Sequence, residues 1–134
     1  MSQFLLQNAL LIVIALIAAG SLAMPYLNKK RFGPMIPPAK AVELINKQNA
    51  LIIDVRGPTD FKKGRIARSL NIPATTIQGR LNEVPKAMPI LLVDDTGGVS
   101  SMVSKLLRGM GYEQVYVLEG GLEEWVRGKF PLES

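Results

Sequence analysis

Ile90-Leu91-Leu92-Val93-Asp94-Asp95-Thr96-Gly97-Gly98-Val99-Ser100 decides how this chain is read. Four consecutive apolar residues with no polar alternation describe a strand covered on both faces, as in a parallel sheet. The polar, glycine-bearing run Asp94–Gly98 then breaks the strand. From Ser100 to Met110 the apolar residues Met102, Val103, Leu106 and Leu107 return at helical spacing. A strand, a glycine loop and a helix N-terminus aim several backbone N–H groups at one point, which makes a nest for an anion.

The same pattern extends in both directions. Ala50–Val55 is a second continuous apolar run, carrying Asp54 and ending before Arg56, and Gly57-Pro58 stops it. Upstream, Ala39–Lys47 sets Ala41, Val42, Leu44 and Ile45 on one helical face behind Pro37-Pro38. Thr59–Lys63 allows one helical turn, Ser69–Ile72 a short strand and Thr75–Leu81 a short helix. Downstream, Gln114–Leu118 predicts a third apolar strand, and Gly120-Gly121 turns it into a last helix, Leu122–Arg127. Trp125 and Phe61 are expected to be core residues. Strands alternating with helices predict an α/β fold with a central parallel sheet flanked by helices. Ligands of such sheets bind beyond the carboxyl ends of the strands. The candidate site is therefore Asp94, Asp95, Thr96, Gly97, Gly98, Val99 and Ser100, with Asp54 and Arg56 bracing the loop.

Composition narrows the chemistry. The 134 residues contain no cysteine and no histidine, which removes thiol nucleophiles, disulfides, structural zinc sites and an imidazole base. The net charge is +5, yet residues 1–28 carry no charged side chain at all. Lys29, Lys30 and Arg31 follow immediately, leaving 13 basic against 11 acidic residues in 33–134. A nearly neutral body argues against a nucleic-acid partner. The apolar run from Phe4 to Leu27 is long enough to cross a bilayer core of about 30 Å. Residues 1–28 are read as a transmembrane anchor, 29–37 as a basic, proline-containing linker and 38–134 as the domain. Lys29, Lys30 and Arg31 would sit at the membrane interface and hold the domain in the cytoplasm, with the N-terminus outside. The rival reading is a signal peptide cleaved near Ser21-Leu22-Ala23. It lacks a basic residue ahead of the apolar run. Ala15, Ala19 and Ala23 form a small-residue stripe that would let another helix approach.

Three motifs in order resemble the rhodanese-like domains. Leu51-Ile52-Ile53-Asp54-Val55-Arg56 is similar to their aspartate–arginine strand. Asp60-Phe61-Lys62-Lys63-Gly64-Arg65-Ile66 through Asn71-Ile72-Pro73 is similar to their acidic-aromatic-x-x-Gly-His-Ile…Asn-Ile-Pro segment. Gly111-Tyr112 through Glu119-Gly120-Gly121 with Trp125 looks like their closing strand and helix. The likeness covers about Ile36 to Pro131. With the apolar N-terminus, the chain resembles bacterial inner-membrane, single-domain proteins of this family, of the YibN type.

The resemblance implies a cysteine at the end of the central strand; aligning Gly97 and Ser100 with the family loop puts Asp94 at that position, and a one-residue slip would put Asp95 there. A carboxylate cannot carry a sulfane sulfur, because the transfer needs a polarizable thiolate. Val99 stands near the place of the family's loop arginine, and Arg65 replaces its histidine. The expectation is a catalytically inactive rhodanese-like protein with no catalytic residue, no metal and no cofactor. It would serve as a protein-binding or scaffold module for a membrane or cytoplasmic partner. Asp94 is expected to fold back onto the loop's N–H groups as a cap. Two alternatives use the same loop. One is a small-anion sensor. The other is magnesium-dependent phosphoryl chemistry on Asp94 or Asp95, suggested by likeness to receiver domains and to Asp-x-Thr-Gly phosphatase loops; the downstream acidic residues that such enzymes need are poorly supplied here.

Overall fold

The computed structural model describes Gln3, residues 7–18 and residues 34–134. The chain divides into two units, Met1–Arg31 and Phe32–Ser134. In the first, residues 7–18 are helical (α1), and Leu10, Leu11, Val13, Ile14, Leu16 and Ile17 are all exposed. Among the described residues no helix is long and apolar enough to cross a membrane. Ala19, Ala23 and the basic cluster Lys29-Lys30-Arg31 lie outside the described residues, as do residues 4–6 and 19–27 of the expected span.

The second unit is an α/β domain. Its elements run β1 (Met35–Ile36), α2 (Pro38–Gln48), β2 (Leu51–Asp54), α3 (Pro58–Lys63), β3 (Leu70–Asn71), a 3-10 segment (Ile77–Glu83), β4 (Ile90–Val93), α4 (Gly98–Gly109), β5 (Val115–Leu118) and α5 (Gly121–Arg127). The sheet order is β1-β5-β4-β2-β3, and every pairing is parallel. Ile53 lies beside Leu92, and Leu92 beside Val117.

β4 shows why an unbroken apolar run is needed. Ile90 and Leu92 face one core with Ile53, Val103, Leu107 and Tyr112. Leu91 and Val93 face the other with Ala41, Ile52, Leu122 and Trp125. All four β4 side chains are at most 1% exposed. Side chains alternate across a strand, so each face of the sheet receives its own helix layer.

Three elements differ from expectation. Met35–Ile36, read as the end of the linker, is the edge strand β1. Val117 N–H donates to Pro34 O and Glu119 N–H to Ile36 O, at 3.1 and 2.8 Å. Two residues carry too little periodicity to be seen in sequence. The segment read as a helix over 75–81 is the 3-10 segment Ile77–Glu83. Pro85 favours extended backbone at Val84, and Val84 N–H closes the last turn onto Leu81 O at 3.0 Å. Helix α4 starts at Gly98, two residues ahead of Ser100, after Gly97 turns the chain at φ 98°. Trp125 is buried as expected. Phe61 is only half-buried and lies under the Arg65 guanidinium, 5.0 Å from its ring centre.

The topology locates the site. From β2 the chain moves to β3 at one edge, then returns as β4 on the other side of β2. The crevice between the carboxyl ends of β2 and β4 is the switch point where parallel sheets bind ligands. Asp54 closes one of these strands and Asp94 follows the other.

Candidate functional site

Asp94 is 4% exposed, and its carboxylate is fully engaged with its own loop. Gly97 N–H and the Ser100 hydroxyl donate to Oδ1 at 2.7 and 2.9 Å, and Val99 N–H donates to Oδ2 at 2.9 Å. The side chain therefore takes the place an anion would hold at the start of α4, where the helix dipole favours negative charge. The Asp94 and Asp95 carbonyls also accept from Leu122 and Glu123 N–H of α5, at 2.8 and 3.1 Å. The loop is clamped between two helix starts. Asp94→Ala leaves the buried Gly97 N–H and Ser100 hydroxyl without their acceptor, and is expected to cost about 2–3 kcal/mol in urea unfolding. The same variant should bind thiosulfate or sulfate at least tenfold more tightly than the parent by calorimetry, because the emptied nest regains its anion seat.

Asp54 and Arg56 are paired with each other at the end of β2. Asp54 is 1% exposed and takes both Nε (3.0 Å to Oδ1) and Nη2 (2.8 Å to Oδ2) of Arg56, as well as the Arg56 N–H at 3.0 Å. A second bond from Nη2 reaches Gly64 O at 2.6 Å. Nη1 lies 3.7 Å from Oδ1 of Asp95. Hydrogen bonding to Asp54 holds the Arg56 guanidinium above its ordinary pKa; burial opposes this, and the charges of Asp54, Asp95 and Asp60 add to it. Arg56 is thus a fixed, permanently charged strut, with most of its hydrogen bonds already made.

Two residues beyond those predicted hold the crevice together. Asn71 Nδ2 donates to Asp54 O and Arg56 O, at 3.0 and 2.9 Å, tying β3 to the end of β2. Gly121, at φ 60°, sits so close to the loop that a Cβ would lie 2.5 Å from Asp94 O, Asp95 C and Asp95 O. The paired glycines at 120 and 121 signal a turn in sequence, but nothing there says against what they press.

Over the loop opens a cavity of about 550 Å³, walled by Arg56, Asp60, Thr75, Asp95, Thr96 and Val99. It shares Arg56, Asp60 and Asp95 with an open cleft of about 840 Å³ that runs toward Lys63, Glu123 and Arg127. Asp95 is 64% exposed and Asp94 is turned inward, so the two adjacent aspartates do different things. Among the described residues no three acidic side chains gather where they could hold a metal ion.

The domain that carries this crevice is similar to known proteins. The model of the rhodanese-like domain matches residues 37–127. The chain belongs to the rhodanese-like family. An uncharacterized protein of Escherichia coli K12, YibN, is 35% identical over 102 residues, covering 73% of this chain and 71% of that one. The thiosulfate sulfurtransferase GlpE of Pseudomonas putida is 31% identical over 99 residues, with 74% and 89% covered. A crystal structure of a rhodanese-like domain protein from Staphylococcus aureus superposes with a TM-score of 0.63 at 27% identity, over 69% of this chain and 90% of that one. Family members thus include a sulfurtransferase, whereas this rhodanese-like chain contains no cysteine.

Proposed function

We propose that this protein is a catalytically inactive rhodanese-like module, held at a bacterial inner membrane by residues 1–28, that binds a protein through the crevice above the Asp94 loop. The observation that carries the reading is the Asp94 carboxylate bound to Gly97, Val99 and Ser100. In this reading Asp94 stands where a sulfurtransferase has its thiolate, so the loop holds its own anion and has nothing to carry sulfur. The cavity survives with its nucleophile gone, and its walls present Asp60 and Asp95 together with the exposed Val99. A protein side chain suits such a mixed wall better than an inorganic anion, which two carboxylates would repel. The anchor is supported by the absence of charge in residues 1–28 and by the exposed apolar surface of α1. The basic residues that follow favour an N-terminus outside and a domain in the cytoplasm.

The test uses the full chain in its native membranes. Carbonate washing should leave it in the pellet, and thiosulfate:cyanide sulfur transfer should be indistinguishable from buffer. Photo-crosslinking from position 96 should capture a discrete protein that is lost when Asp95→Lys reverses the charge of the wall. Sulfur transfer above background overturns the inactive reading, release by carbonate overturns the anchor, and capture unaffected by Asp95→Lys moves the contact away from the crevice.

A further inference from the structure

On the opposite face of the sheet from the core that holds Ile90 and Leu92 lies a second hollow, and the crevice makes no use of it. Its floor is the buried Ile52, Ile66 and Trp125, and its walls are the half-buried Val42, Ile45 and Phe130. Its volume is about 300 Å³, at the small end of ligand cavities. The Trp125 indole N–H is already given to Pro131 O at 2.8 Å, so the floor offers an occupant no donor.

One ionisable side chain lines this hollow, that of Arg68. It is exposed and forms no hydrogen bond or ion pair within the described residues. Its backbone is left-handed at φ 66°, a conformation that disfavours any residue with a Cβ. An unpaired guanidinium thus stands on strained backbone beside an apolar hollow. The Arg56 guanidinium, by contrast, is held by Asp54 and Gly64 through Nε and Nη2.

We propose that this hollow binds a small amphiphilic carboxylate, its alkyl body against Ile52, Ile66 and Trp125 and its charged end on Arg68. Arginine matches a carboxylate by a two-pronged hydrogen-bonded contact. Mostly apolar walls with a few directing polar groups are the usual make-up of a small-ligand site, and here those groups are the Arg68 guanidinium and the Asn46 amide. The site is separate from the crevice, so it stands or falls independently of the partner-binding reading.

Trp125 is the chain's one tryptophan, and its emission reports on the hollow directly. The full chain in phospholipid nanodiscs is titrated with three probes of equal tail: octanoate, octylammonium and 1-octanol. Octanoate should change the emission saturably, at least tenfold more tightly than either other probe. Arg68→Gly removes the charge and relieves the left-handed backbone, so loss of octanoate binding by tenfold or more in that variant is not misfolding. Arg68→Glu should reverse the preference toward octylammonium, and Ile45→Phe should abolish the response to all three probes. The proposal is overturned by the absence of a saturable response in the parent, by equal affinity for the three probes, by octanoate binding unchanged in Arg68→Gly, or by a response that survives Ile45→Phe.

Discussion

Asp54→Ala is expected to destabilise the domain by about 3–5 kcal/mol, because it strands a guanidinium that the fold keeps inside. The Arg56 side chain is 9% exposed and the Asp54 side chain 1%. Taking the carboxylate away removes both prongs of the pair and the acceptor of the Arg56 N–H, while the charge stays. Breaking a buried pair costs far more than the pair adds when intact, since the remaining ion keeps its desolvation penalty. At roughly 4–8 °C per kcal/mol for a domain of this size, thermal unfolding should move down by about 12 °C or more. The double variant Asp54→Ala, Arg56→Met removes the stranded charge too, and should recover at least half of the loss. A double variant as unstable as Asp54→Ala alone would mean that geometry, and not the unpaired charge, sets the cost.

The second large effect belongs to a residue with no side chain. Gly121→Ala should lower stability by about 3 kcal/mol or more, through two costs that act together. The position is left-handed, at φ 60°, which disfavours a Cβ. The Cβ would also sit 2.5 Å from three backbone atoms of Asp94 and Asp95, and backbone cannot swing aside as a flexible side chain can. Relief requires α5 to back away from the loop, which stretches the bonds from Leu122 and Glu123 N–H to the Asp94 and Asp95 carbonyls. Gly57→Ala is the control. No atom lies within 4 Å of its added Cβ and its φ is −67°, so it should change stability by less than about 0.5 kcal/mol. Chemical denaturation of both variants checks the contrast, and equal losses would refute the close-approach account.

Much of the scaffold is legible in the sequence. Ile90–Val93 is read with its observed bounds, because four apolar residues between Pro89 and Asp94 leave no other choice. Pro38 and Gly128 bound their helices as proline and glycine commonly do. β1 escaped because Met35-Ile36 becomes a strand only through β5, a partner more than eighty residues away. The early start of α4 escaped because it depends on the Gly97 turn and on the Asp94 side chain beneath it.

The site divides along the same line. That the chain lacks a thiol, and so cannot hold sulfur as a persulfide, is decided by composition, since no fold can supply an atom the sequence does not contain. The sequence also determined that two apolar strands, one ending in Asp54 and one followed by Asp94, run parallel in one sheet, because uninterrupted apolar runs have to be covered on both faces. Which of Asp94 and Asp95 turns inward, and that Arg56 spends itself on Asp54 and Gly64, only the tertiary structure decided. So did the seating of Gly121 against the loop and the lone Arg68 beside an apolar hollow. Apolar periodicity is a local property, repeated every two to four residues. The partner of a buried polar group is whatever the folded chain brings within about 3 Å, and that is set by packing across the whole domain.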